Sequence, residues 1–294
     1  MPFPILRTPF VVVSEIISLL QPDEIVTASY CSNKVKRLLK GHYQQRKPLG
    51  WMLYLINWDS QRTVAIGLES EKDLTNVLSS MHISELDKSS EAKPIETNGY
   101  KKEFSFGSVD LYFEDPVKGT KIIVDYVTDL FNLDVYGLII DIHGIWALDW
   151  ISTRQEKMLE CFEFVKNAKY NLNAKKDLDY VLRNARVSRN IVLEDVFPVN
   201  YRFDGILGPA INLTIDSNGH WVTLDNLKNF DFVKIKVKGS TISASDVHSF
   251  LRHWRAGGSH RLTYLEVHFE ADRNFENLEE VYERIDDPMF VFSL

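Results

Sequence analysis

The sequence predicts a mixed α/β chain: three short N-terminal helices, a short β region, then a long stretch of alternating strands and helices. Three observations predict it. Apolar residues recur at helical spacing over the first forty positions, punctuated by Pro9 and Pro22; two β-rich runs flank a polar turn near residue 60; and short apolar strands recur from residue 137 onward. A chain of 294 residues, 45% of them hydrophobic, can bury one or two cores beside a small N-terminal module.

The stretch Phe3–Lys40 reads FPILRTPFVVVSEIISLLQPDEIVTASYCSNKVKRLLK. Val13, Ile16, Ile17 and Leu20 keep a 3-4 spacing, with Ser14 and Glu15 in the first turn of that helix. Pro22 ends it, because proline lacks the amide donor and crowds the preceding turn. Pro22-Asp23-Glu24 then opens a second helical stretch with a fixed φ and two carboxylates at its positive end. Ile25, Val26, Ser29, Val35, Leu38 and Leu39 continue the pattern, and Lys34, Lys36, Arg37 and Lys40 place cations towards its close. Units of ~40 residues or fewer usually need a metal, disulfides or a partner to be stable, so a partner is expected.

Trp51–Trp58 and Arg62–Glu69 read as a hairpin. Ser79–Lys102 is dominated by Ser, Lys, Glu and Asn, which predicts a long mobile loop. Lys102–Phe106 and Val109–Glu114 read as a strand pair, and Pro116–Leu133 as a helix. Strands are then expected at Gly137–Asp141, Cys161–Val165, Ile191–Glu194, Ile211–Ile215, Val233–Val237 and Tyr264–Phe269, with helices at Ala174–Arg186 and Ser245–Arg255. A strand–helix unit repeating every ~20–30 residues predicts a leucine-rich-repeat-like solenoid, degenerate because the L-x-x-L-x-L-x-x-N consensus is not kept. The alternative is a compact α/β domain with a parallel sheet. The expected division is a helical module at 3–45, a β-hairpin linker region at 50–115 containing the loop 79–102, and a strand–helix domain at 116–294.

Composition excludes several function classes. A net charge of −7 and a pI of about 5.7 lack the basic footprint of a general nucleic-acid binder. The basic cluster Lys34–Lys47 reads as a solvated helix end. The two cysteines, Cys31 and Cys161, form no CxxC and no metal-type spacing, which suits a reducing cytoplasmic or nuclear compartment. No signal peptide is expected. The longest apolar stretch, Tyr136–Ile151, is interrupted by Asp141, His143 and Asp149, so no membrane span is expected either. No cofactor, metal site or catalytic residue is predicted. Gly257-Gly258 reads as a helix C-cap rather than a phosphate loop. His248 and His253 lie five apart on a helix and so on different faces, and Asp141 with His143 reads as a polar strand terminus.

The order of Leu6, Pro9, Pro22, Ser29 and Cys31 resembles the F-box, a helical module that docks onto the adaptor of an SCF-type ubiquitin ligase. Phe10 stands where many F-boxes carry an acidic residue, although an aromatic there suits the nematode-expanded F-box families. Trp221–Leu227 (WVTLDNL), Ser249–Trp254 (SFLRHW) and Arg261–Leu265 (RLTYL) resemble the type 2 F-box-associated domain of those same families. The resemblance covers Phe3–Lys40 and Leu133–Phe269. It implies a non-catalytic substrate-recognition subunit, binding a Skp-family adaptor and through it a cullin-RING ligase, and recruiting a protein target for ubiquitination and degradation. The adaptor-binding residues it implies are Leu6, Pro9, Phe10, Val13, Ile16, Ile17, Leu20, Pro22, Ile25, Ser29 and Cys31, divided between contact and supporting packing, with Cys31 packed inside the module. The alternatives are a binding module or decoy uncoupled from the ligase, and an α/β enzyme with an unrecognised site.

Strand side chains alternate between faces. If Leu213, Ile215, Ile235, Val237, Leu265 and Val267 face the core, then Asn212, Thr214, Lys234, Lys236, Tyr264, Glu266 and His268 face outward, and this polar and aromatic row is the expected target-binding surface.

Overall fold

The computed structural model describes residues 8–46, 50–59, 61–68, 73–86, 92–97, 100–105, 110–166, 174–194, 197–198, 200–269 and 290–293. No helix among the described residues is long and apolar enough to cross a membrane. The fold is mixed α/β, with N-terminal helices followed by a largely parallel sheet. This agrees with the compact α/β reading. The chain divides between Gly137 and Leu138 into two units.

The first unit opens with α1 (Phe10–Ser18), α2 (Pro22–Cys31) and α3 (Asn33–Gln45). α1 begins a turn earlier than its apolar spacing suggests, because Pro9 supplies the carbonyl that Val13 N–H donates to (3.1 Å). α2 starts at Pro22 as expected. Gln21 N–H donates to Glu24 Oε2 (2.9 Å), which satisfies one of the open amides that every helix start presents. Ser32 separates α2 from α3 by adopting extended backbone and accepting from Lys34 N–H (3.3 Å).

Strands β1 (Trp51–Trp58), β2 (Gln61–Leu68) and β3 (Leu74–His82) form an antiparallel meander, and the Trp51–Leu68 to Trp58–Gln61 register matches the expected hairpin. β4 (Ala92–Thr97) and β5 (Tyr100–Ser105) pair antiparallel; β6 (Asp110–Phe113) pairs with β5 antiparallel and with β3 in parallel. The polar run Ser79–Lys102 is therefore not one long loop. It contains the end of β3, a 3-10 turn at Ile83–Glu85, all of β4 and the start of β5, because cross-strand amide pairing satisfies the backbone where apolar burial is scarce.

Helix α4 (Pro116–Phe131) packs against α3 and against β2, β3 and β6, so the helix expected to open the C-terminal domain lies in the first unit. Asn132 caps it in the left-handed conformation (φ 54°). The N-terminal helices use it as a wall. Tyr30 stacks on Tyr126 at 4.6 Å, Ser29 Oγ lies 2.7 Å from Tyr126 Oη, and Lys36 Nζ sits 4.1 Å above the same ring. Tyr43, Trp51 and Phe131 meet at 5.1–5.9 Å. α2 and α3 thus bury their apolar faces within their own chain, which corrects the expectation that so small a module must rely on a partner.

Gly119 lets α4 come this close. A methyl group on it would overlap the Phe113 ring and approach Ser80 Oγ to 2.5 Å, whereas one on Gly41 in α3 would meet nothing within 4 Å. Gly119→Ala is expected to destabilise by about 1–3 kcal/mol through overpacking, while Gly41→Ala stabilises by up to about 1 kcal/mol through helix propensity. Urea titration of the two variants checks the opposite signs.

In the second unit the strands follow chain order. β7 (Val135–Ile140), whose first half belongs to the first unit, is followed by β8 (Leu159–Phe164), β9 (Val187–Leu193), β10 (Ala210–Ile215), β11 (Phe232–Ser240), β12 (Tyr264–Phe269) and β13 (Phe290–Ser293), each hydrogen bonded to the next. Pairing from β8 to β13 is parallel throughout. Helices α5 (Trp146–Arg154), α6 (Ala174–Asn184), α7 (Leu224–Asn229) and α8 (Ala244–Arg255) lie between strands. Between β9 and β10, an aromatic segment takes the place of a helix. Phe197, Tyr201 and Phe203 gather around fully buried Trp221, with ring centroids at 4.9, 5.8 and 6.2 Å. Asn226 fixes the segment by donating to Phe203 O (2.7 Å).

Candidate protein-binding surfaces

α1 carries the first candidate surface. Its inner side holds Val13 and Ile17, each 2% exposed, and Ser14, whose Oγ lies 3.5 Å from His42 Nδ1 and accepts from Arg46 Nη1 at 3.1 Å. Its outer side is open and carries Val11, 72% exposed, Val12, 46%, and Leu19, 82%, beside exposed Glu15 and Ser18. Val12 and Leu19 are two turns apart on one stripe, with half-buried Ile16 between them.

Burial divides the residues the F-box resemblance implied into interior and surface positions. Val13, Ile17, Pro22, Ile25 and Ser29 are buried and support the unit from inside. Pro9 is exposed at the start of α1, while Ile16 and Leu20 are half-buried. Cys31 is exposed on the last turn of α2, which corrects its expected packing inside the module: the helix ends there and the side chain has no layer above it. Leu6 and the side chain of Phe10 lie outside the described residues. Val11, Val12 and Leu19 escaped the spacing argument. Their signal was the run FVVV, since a helix apolar all round carries more apolar surface than one face can bury.

The second candidate surface is one face of the sheet in the second unit. Leu213, Ile215, Ile235, Val237, Leu265 and Val267 are each at most 1% exposed, as alternation required. Asn212, Thr214, Lys236, Tyr264, Glu266 and His268 are half-buried and Lys234 is exposed. Register aligns them in rows. Asn190, Asn212, Lys234 and Tyr264 form one row, and Val192, Thr214, Lys236 and Glu266 the next. Asn212 Nδ2 donates to Asn190 Oδ1 (2.6 Å). Glu266 is the hub of the second row: Lys236 Nζ is 3.0 Å from Oε1, His268 Nε2 is 2.5 Å from Oε1, and the Tyr264 hydroxyl donates to Oε2 (2.9 Å).

Burial alone would push the Glu266 carboxyl up. The bonds from His268, Lys236 and Tyr264 outweigh it and hold the group at about 2. A carboxyl depressed by folding stabilises the fold above its unfolded value, and that contribution disappears as pH falls towards the folded one. Acid titration of wild type is therefore expected to lose stability between about pH 4.5 and 2 from this group, and Glu266→Gln to flatten that part of the profile. An unchanged acid profile in the Gln variant overturns the hub.

Asp141 Oδ1 accepts from the backbone N–H of His143 (2.8 Å) and caps the turn after β7. His248 is exposed, whereas His253 packs where Gly258 leaves room for its ring. Gly257 takes φ 90° just after the Ala256 C-cap and ends the helix, its N–H donating to Trp254 O (2.9 Å). Among the described residues no three His, Cys, Asp or Glu side chains are placed to hold a metal ion. Burial and then Glu163 push the Cys161 thiol up to about 11.

The family comparison falls on the same strands. Residues 203–267 match the family model described as F-box associated. The matched segment runs from Phe203 to Val267, so it includes β10, α7, β11, α8 and all but the last two residues of β12, and with them most of the polar face. F-box associated is not an enzyme family. No curated protein and no solved structure matches the chain.

Proposed function

We propose that this chain is a substrate-recognition subunit of an SCF-type ubiquitin ligase. Its N-terminal helices act as the F-box and dock onto a Skp-family adaptor, and through it a cullin-RING ligase, by the open stripe of α1. The second unit recruits a protein target for ubiquitination and degradation through its polar sheet face. The observation that carries this reading is the F-box-associated match at 203–267 downstream of a helix that exposes Val11, Val12 and Leu19. Isolated apolar side chains on a surface are ordinary, but a continuous stripe on the first helix of a chain with this match is what a docking face requires.

The chain itself transfers no ubiquitin in this reading. A thiol held near 11 at Cys161 stays protonated at neutral pH and is a poor nucleophile. Two unpaired cysteines suit the cytoplasm or nucleus.

Co-expression of the full chain with a Skp-family adaptor, followed by size-exclusion chromatography, is the test. A stable complex is expected. Separate elution of two folded proteins overturns the ligase reading and leaves the uncoupled binding module.

A further inference from the structure

On the polar sheet face, charges with partners and charges without them are set apart. Lys236 pairs with Glu266 at 3.0 Å, and Lys238 with Asp216 at 2.6 Å. Among the described residues, Lys234 on β11 has no carboxylate in ion-pair range, and Glu163 on β8 has no cation. Glu194, just past the end of β9, has no cation either. Glu163 shares its row with Val192, Thr214 and Lys236, so it looks out from the same face as Lys234. Burial, with Glu194 and Asp216 nearby, pushes the Glu163 carboxyl up, as expected of like charges without a counterion.

We infer that this face takes an extended protein segment carrying one basic and one acidic side chain, the base meeting Glu163 and Glu194 and the acid meeting Lys234. This rests on the target-binding role proposed above and gives it a chemistry. The spacing follows from sheet geometry. β8 and β11 are three strand intervals apart, about 14 Å, and Glu163 stands one two-residue step further along than Lys234, about 7 Å, so the two charges are about 16 Å apart. An extended segment rises about 3.3 Å per residue and turns alternate side chains to the same side, so its two charges lie four or six residues apart. Val192, Asn212 and Thr214, on the two strands that separate β8 from β11, form the floor between them, half-buried and uncharged. A polyanion such as nucleic acid fits poorly, because Glu163 and Glu194 would repel it across half the face.

The test uses the full chain and short fluorescent peptides. One set carries Lys and Glu four or six apart in both orders; control sets carry Lys alone, Glu alone or neither. Anisotropy is expected to show the paired peptides binding at least about tenfold tighter than the uncharged ones, a difference of about 1.4 kcal/mol, and weakening with salt. Lys234→Glu is expected to lose the paired peptide and to regain binding when the peptide's Glu is changed to Lys. Glu163→Gln with Glu194→Gln is expected to lose the advantage of the basic residue. Equal affinity for charged and uncharged peptides, binding by none of them, or indifference to both sets of substitutions overturns the inference. Adaptor capture by the same preparation reports separately on the ligase reading.

Discussion

Val12→Asp with Leu19→Asp is expected to leave a folded chain that no longer captures a Skp-family adaptor. Val12 is 46% exposed and Leu19 82%, so in the free protein each carboxylate remains in water and the melting temperature hardly moves. At an apolar interface the same two charges are stripped of water with nothing to pair with, which costs several kcal/mol, enough to reduce affinity more than about 100-fold. Ile17→Asp has the opposite signature. Ile17 is 2% exposed beside Val13, so its carboxylate is buried in the free protein too, and the first unit is expected to unfold whether or not an adaptor is present. Circular-dichroism melts and co-purification distinguish the two. A double variant that melts like wild type and still recovers the adaptor refutes docking through α1.

Trp221→Ala is expected to remove about 3–5 kcal/mol from the second unit. The indole is fully buried and touches Phe197, Tyr201, Phe203 and Phe230 with centroids between 4.9 and 6.2 Å, so truncation opens a cavity ringed by stiff aromatic walls that collapse poorly. Its Nε1–H has no hydrogen-bond partner among the described residues. Trp221→Phe therefore loses area but also a buried donor, and is expected to cost clearly less than the Ala variant. Urea unfolding of both variants measures the pair. A cost below about 1 kcal/mol for Trp221→Ala would mean that the cluster is not the core of this unit.

The strands were legible wherever their signal was local. Trp51–Trp58 and Arg62–Leu68 flank a turn and fall in β1 and β2; Ile211–Ile215, Val233–Val237 and Tyr264–Phe269 fall in β10, β11 and β12, with Leu213, Ile215, Ile235, Val237, Leu265 and Val267 inward. Other elements were hidden because their signals overlap. α5 begins in the apolar stretch Tyr136–Ile151, where strand, turn and helix run together without a change of composition. The β4–β5 hairpin was hidden by its polarity, since backbone pairing holds it without an apolar stripe. Leu224–Asn229 is a helix of six residues, too short to display a period.

Sequence alone determined which residues alternate, where the proline-led helices at Pro22 and Pro116 start and which of the two faces of each strand in the second unit is apolar. These depend on neighbours one to four positions away, the range over which chain geometry sets side-chain direction. Tertiary structure decided the rest. Only the packing of α2 and α3 against α4 shows that Ile25 and Ser29 are interior supports, while Val12 and Leu19 are left outside. Only the lateral order of the strands reveals that Lys236 and Lys238 have carboxylate partners and Lys234 does not. Burial and charge pairing are properties of residues that meet in space, and Lys236 and Lys238 meet carboxylates that are distant from them along the chain.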